Sequence, residues 1–107
     1  MGLNSTTGSS SSSEASSPVG LTIGACQKVP VGPESAQSEA VAAAHVRLTA
    51  TVDCHVAFGA DPTAIADGSC VFCAARTPEV FAITSGWKVA VIREGDRFGN
   101  LFITALG

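Results

Sequence analysis

The stretch HVRLTATVDCHVAF, His45 to Phe58, carries the strongest periodicity in the chain. Val46, Leu48, Ala50, Val52, Cys54, Val56 and Phe58 recur at every second residue, and Arg47, Thr49, Thr51, Asp53 and His55 fill the alternate positions. A period of two marks a β-strand with one buried face, because successive side chains leave the pleated backbone on opposite sides. The run exceeds the usual strand length of about 3–10 residues, so it reads as one long strand or as two joined by a bend near Asp53. Gly59-Ala60-Asp61-Pro62 ends it with turn chemistry, since Pro62 has no N–H for a continuing ladder.

Upstream, Val19, Leu21 and Ile23 alternate with Gly20, Thr22 and Gly24 as a first strand, which Pro30, Gly32 and Pro33 break. The Ala-rich segment from Glu34 to Ala44 is compatible with a helical turn, but is read here as an extended approach to the next strand. Downstream, Cys70 to Cys73 forms a short apolar strand, and Glu79 to Thr84 follows the Thr77-Pro78 turn. Trp87 to Ile92 is apolar on most of both faces and is expected to be central in a sheet. Glu94 to Asn100 is read as a hairpin loop returning through Leu101 to Leu106. Short strands separated by Gly, Pro, Asp and Asn turns, without a convincing helix, predict an all-β fold: an antiparallel β-sandwich or small barrel, jelly-roll-like.

Residues 2–17 have almost no apolar side chains, including the run Ser9 to Ser13, and cannot offset the entropy of ordering their backbone. The chain therefore divides into a Ser-rich arm, 1–17, ordered at most by a partner, and one β-domain, 18–107. Hydrophobic residues make up 46% of the chain and charged residues 14%, so a domain this small is expected to gain burial from an oligomer or a docked partner. A net charge of -3, with six Lys and Arg against nine acidic residues, opposes nucleic-acid binding. No run is long enough to span a bilayer, and Gly2-Leu3-Asn4-Ser5 supplies neither a basic nor an apolar signal region. The matches to a myristoylation pattern at Gly2 and a glycosylation sequon at Asn4 are short and unspecific.

The candidate chemistry is sparse. Cys70-Val71-Phe72-Cys73 has CxxC spacing, with Cys26, Cys54, His45 and His55 as conceivable further zinc ligands. Strand phase opposes this, because Cys54 points inward while His45 and His55 point outward. Without a signal region the four cysteines are expected to be free thiols of a reducing compartment. Asp53 and His55 share an outward face and could be combined with Ser69 or Ser85 as a hydrolase triad, but no GxSxG elbow accompanies them, so they read as a solvated pair. Gly95-Asp96-Arg97-Phe98-Gly99 lacks a phosphate-loop pattern. Trp87 with Phe72, Phe81, Phe98 and Phe102 could build a sugar platform, although Trp87 is in phase with Val89 and Val91 and reads as core or interface. The expectation is a non-enzymatic protein without cofactor or metal.

Val46-Arg47-Leu48-Thr49-Ala50, Val56-Ala57-Phe58-Gly59-Ala60-Asp61-Pro62-Thr63-Ala64, Pro78-Glu79-Val80-Phe81, Gly86-Trp87-Lys88-Val89-Ala90-Val91-Ile92 and Leu101-Phe102-Ile103-Thr104 together resemble small virion proteins of tailed bacteriophages. The resemblance spans about residues 40–106 and leaves the arm and the cysteines unmatched. It implies a β-sandwich made in the host cytoplasm and carried on the virion as a capsid decoration or cement protein. Its partners would be the major capsid protein or other virion proteins, and further copies of itself. The alternatives are a tail- or fibre-associated adaptor and a carbohydrate-binding receptor module. Expected partner-binding residues are Gly2, Leu3, Asn4 and Ser17 of the arm, together with Phe98.

Overall fold

A computed structural model describes residues 21–107. Within them lie eight strands: β1 (Ile23–Val31), β2 (Ala36–Gln37), β3 (His45–Ala50), β4 (Cys54–Gly59), β5 (Val71–Cys73), β6 (Glu79–Ala82), β7 (Lys88–Arg93) and β8 (Gly99–Leu106). The described residues include no helix. The arm residues Gly2, Leu3, Asn4 and Ser17 and the strand start at Val19 lie outside them.

The strands form two four-stranded antiparallel sheets, ordered β1-β8-β3-β6 and β2-β7-β4-β5. The pairs β1–β8, β2–β7, β3–β6 and β4–β5 nest inside one another, as if one long hairpin had been rolled up. That is the wrap of a jelly roll, here a sandwich rather than a closed barrel. Only β4 and β5 are both consecutive and hydrogen-bonded. The segment after Arg93 is thus no hairpin turn, as the sequence suggested, but a crossing between sheets: β7 pairs with β2 and β4, and β8 with β1 and β3.

The long alternating run does divide, at Thr51–Asp53, because its halves belong to different sheets. Val46, Leu48 and Ala50 of β3 face Val56 and Cys54 of β4 across one core, completed by Val29, Val31, Val89, Val91, Leu101 and Ile103. The small β-branched side chains suit the two inner pleated faces, which interdigitate across the gap between sheets. Thr51 secures the corner: its N–H donates to Asn100 O, and its Oγ1 accepts from Asn100 N–H, both at 3.0 Å. Gly99 passes so near that a Cβ there would fall 2.9 Å from Val52 Cγ2, so only glycine fits without local movement.

The strand at Ile23 runs to Val31, through Pro30, where the sequence predicted a break. Proline is tolerated because β1 is an edge strand among the described residues, with β8 as its neighbour on one side. The 34–44 segment is extended, as expected. After β2 it continues along β7 through Ser38, whose N–H donates to Val89 O at 2.8 Å and whose Oγ accepts from Val89 N–H at 2.9 Å.

The outer face of the second sheet is roofed. Gln37 Nε2 donates to Asp61 Oδ1 at 2.7 Å and to Pro62 O at 2.8 Å, and Ala64 N–H donates to Ser35 Oγ at 2.8 Å. These bonds lay the connection between β4 and β5 over the row in which Gln37, Ala90 and Ala57 stand side by side. Ala90 and Ala64 are consequently buried outside the central core.

Candidate functional site

The jelly-roll wrap gathers the β1–β2, β3–β4, β5–β6 and β7–β8 connections at one end of the sandwich, here called the loop end. Backbone bonds knit them together. Arg76 N–H donates to Ala50 O at 2.7 Å, Arg93 N–H to Gly32 O at 3.0 Å and Glu94 N–H to Asp53 O at 3.1 Å. Asp53 also accepts from Ala75 N–H at 2.7 Å. At the opposite end Thr22 and Gly107 exchange both backbone hydrogen bonds.

Phe98 is the most exposed large apolar side chain among the described residues, at 72%. It is nevertheless positioned. The Arg93 guanidinium lies 5.0 Å from its ring centroid, and the ring passes over Gly32 beside an open groove lined by Pro30, Pro33 and Ala36. A cation over an aromatic face contributes roughly 0.5–1 kcal/mol at an exposed site. Phe98 is therefore a presented side chain whose ring plane is set in advance. It sits on an inter-sheet crossing instead of at the hairpin tip expected from sequence.

A second feature of the loop end is a cleft of about 250 Å³ between Thr51–Asp53, Ala75–Arg76 and Glu94–Arg97. Asp53, Glu94 and Asp96 line it alongside Arg76 and Arg97. Arg76 has φ of 60°, a left-handed conformation that L side chains rarely adopt. The 2.7 Å bond from its N–H to Ala50 O holds it there.

The Asp53 and His55 pair imagined from sequence does not form. Strand phase places both on the outward side of the bend and β4, as expected, but His55 is only 6% exposed and so is not solvated. Its Nε2 pairs with Glu94, its ring meets Phe72 edge-on with centroids 5.5 Å apart, and its Nδ1 is buried without a hydrogen-bond partner. Ser69 instead donates through both its hydroxyl and its N–H to Asp67, at 2.6 and 2.9 Å. Those two bonds hold the Asp67 carboxyl below its usual range. Sequence reasoning missed Glu94 as the partner of His55, because only the crossing between sheets brings residues so far apart in the chain together.

The aromatic residues do not form one platform. Trp87 is 36% exposed and precedes β7, whereas Phe98 stacks with Arg93 at the far end of that strand, so roughly 20 Å separates them. Trp87 lies outside the core, one of the two places, core or interface, that its phase with Val89 suggested. Phe102 is on the outer face of the first sheet, Phe72 packs against His55, and Phe81 packs against Phe58 with centroids 5.3 Å apart.

Among the described residues no set of three or more His, Cys, Asp or Glu side chains could hold a metal ion. Cys26 is exposed beside Thr104 of the first sheet, and Cys70 accepts from Ile65 N–H at 3.4 Å. Cys54 and Cys73 are buried and face each other across β4 and β5. Among the described residues no helix is long and apolar enough to cross a membrane. In comparisons with known proteins, no family model, no curated protein and no solved structure matches the chain.

Proposed function

We propose that this protein is a structural component of a tailed-phage virion, a capsid decoration or cement protein that joins neighbouring capsid subunits. The observation that carries this reading is the place of Phe98, exposed and held in orientation at the end of the sandwich opposite the first described residues. Thr22 and Gly107 pair at one end of the sandwich, while Phe98 stands at the loop end, where β8 begins. β8 runs between these points, a span of roughly 27 Å at the usual strand rise. A small rigid body with an attachment at each end suits a connector between two surfaces. A jelly roll is also a common scaffold of capsid and lectin domains, an analogy of fold that supports both uses.

The carbohydrate reading draws support from Phe98 alone, which faces solvent beside a groove. That groove is largely apolar, and Arg93 occupies a face of the ring that a sugar would need. The cement reading is therefore preferred to a receptor module or to a tail- or fibre-associated adaptor.

The test is binding to capsids assembled without this protein, comparing the full chain, a chain lacking residues 2–17 and a Phe98→Ser chain. Each change should weaken binding on its own, Phe98→Ser by on the order of 30-fold if the ring fills a pocket at the centre of the contact. Undiminished capsid binding by both variants would refute the connector. Capture on a glycan array, lost with Phe98→Ser, would instead establish the receptor role.

A further inference from the structure

The buried cysteines of β4 and β5 form a site of their own. Cys54 is paired in register with Cys73, the neighbouring pairs being His55 with Phe72 and Val56 with Val71. Directly opposed residues of an antiparallel ladder have Cα atoms about 4.5 or 5.5 Å apart, depending on the pair type. Both separations fall within the roughly 4.4–6.8 Å that a disulfide spans. The two side chains share the inner face, with Cys54 fully buried and Cys73 4% exposed. Cys26 is in the other sheet, and Cys70 lies before β5, in contact with Ile65.

We propose that Cys54 and Cys73 are a disulfide-forming pair, oxidised by a low-molecular-weight disulfide to a cross-strand bond that staples β5 to β4. The place in the fold gives the bond its consequence. β5 has three residues and, among the described residues, is an edge strand that pairs with β4 alone. It is also the return half of the innermost hairpin of the roll, and the connection closing that hairpin is the one that roofs the second sheet. A bond here would fix the least supported edge of the sandwich and shorten the free path of its longest connection in the unfolded chain.

The same edge supplies the route for reaction. Local opening of a short strand held on one side exposes Cys73 without unfolding the core. The pairing of the two thiols favours the Cys73 thiolate, while that pairing and burial hold the Cys54 thiol well above its ordinary value. Cys73, on the strand that opens, is thus the attacking sulfur. Its thiolate attacks one sulfur of glutathione disulfide, the S–S bond breaks, and the departing glutathione takes up a proton. Cys54 then loses its proton and attacks Cys73 Sγ, and the second glutathione leaves protonated. The two cysteines lose two electrons, and one glutathione disulfide becomes two glutathiones.

The full-length chain, kept folded, should be incubated in buffers of rising glutathione disulfide content, quenched by alkylation and weighed intact. A Cys70→Ser chain treated in parallel and cut before aspartate would identify the bond, because Asp53 and Asp67 begin the peptides that carry Cys54 and Cys73. The expected product is a monomer lighter by two hydrogens, with those peptides joined and with a Tm higher by on the order of 10 °C. Four alkylatable thiols after oxidation would overturn the proposal. So would a stable glutathione adduct, a bond through Cys26, or a linked product that melts lower than the reduced chain.

Discussion

Arg47 in the first sheet and His55 in the second occupy outward positions predicted by one continuous alternation, yet Arg47 is half-exposed and His55 is buried. The difference lies in what rests on each face. On the first sheet, Lys28, Phe102 and Thr49 stand in one cross-strand row, with Phe102 45% exposed. On the second, Gln37 and Ser35 tie the β4–β5 connection down over Ala90, and Glu94 and Phe72 enclose His55. Alternation therefore determines which way a side chain points, whereas its contact with water depends on segments distant in sequence.

The largest effect should come from placing one new charge on each outer face. Ala90→Glu puts a carboxylate beneath the roof and should cost on the order of 3 kcal/mol, because the group must be desolvated or the roof displaced. Thr104→Glu puts the same charge on the first sheet and should stay within about 0.5 kcal/mol. Urea denaturation of the two chains measures the contrast, and equal losses would show that the connection does not act as a cover.

A smaller effect is expected at the edge of the roofed region. Glu94→Ala leaves His55 Nε2 without its carboxylate, while Glu94→Gln preserves an acceptor. The alanine chain should lose about 1 kcal/mol, near the lower end of the range for a stranded polar group, since Glu94 is itself about half exposed. The glutamine chain should lose less. Matching thermal melts for both variants and the parent would mean that His55 is solvated after all.

The smallest is a local response to acid in the roofing connection. The Ser69 hydroxyl and N–H hold Asp67 below the ordinary carboxylate range, so this turn's contribution is present above the unfolded value, about 4, and lost as pH falls through the lower folded value. The amide resonance of Ser69 should shift over that acidic interval and cease to do so in Asp67→Asn. A Ser69 shift centred at the unperturbed value would show that the turn does not select the carboxylate.

The fold class was legible because the 45–58 run, the apolar β7 and the terminal Leu101–Leu106 alternation each carry a β period, and the turn residues between them exclude helices. The bend near Asp53 was visible as a strand too long for one sheet. Connectivity was not visible. A Gly-rich stretch such as 95–99 suits a hairpin and an inter-sheet crossing equally well, because both need a polar reversal. Treating it as a hairpin separated Glu94 from His55 and put Phe98 on a tip. The phase of Trp87 left core and interface open, and it stands outside the core, just before the strand whose alternation it continues.

By itself the sequence determined the two-faced strands, the inward set of Val, Leu, Ile and Cys, and the exposure of Phe98. These follow from local properties: backbone period, turn chemistry and the hydrophobicity of neighbouring residues. Only the tertiary structure decided that Cys54 faces Cys73, that Glu94 meets His55, that a loop covers one sheet, and that Phe98 and the Thr22–Gly107 pair lie at opposite ends. Those relations depend on how a rolled hairpin pairs strands far apart in the chain, which is settled by the joint burial of both sheets and by no single stretch of sequence.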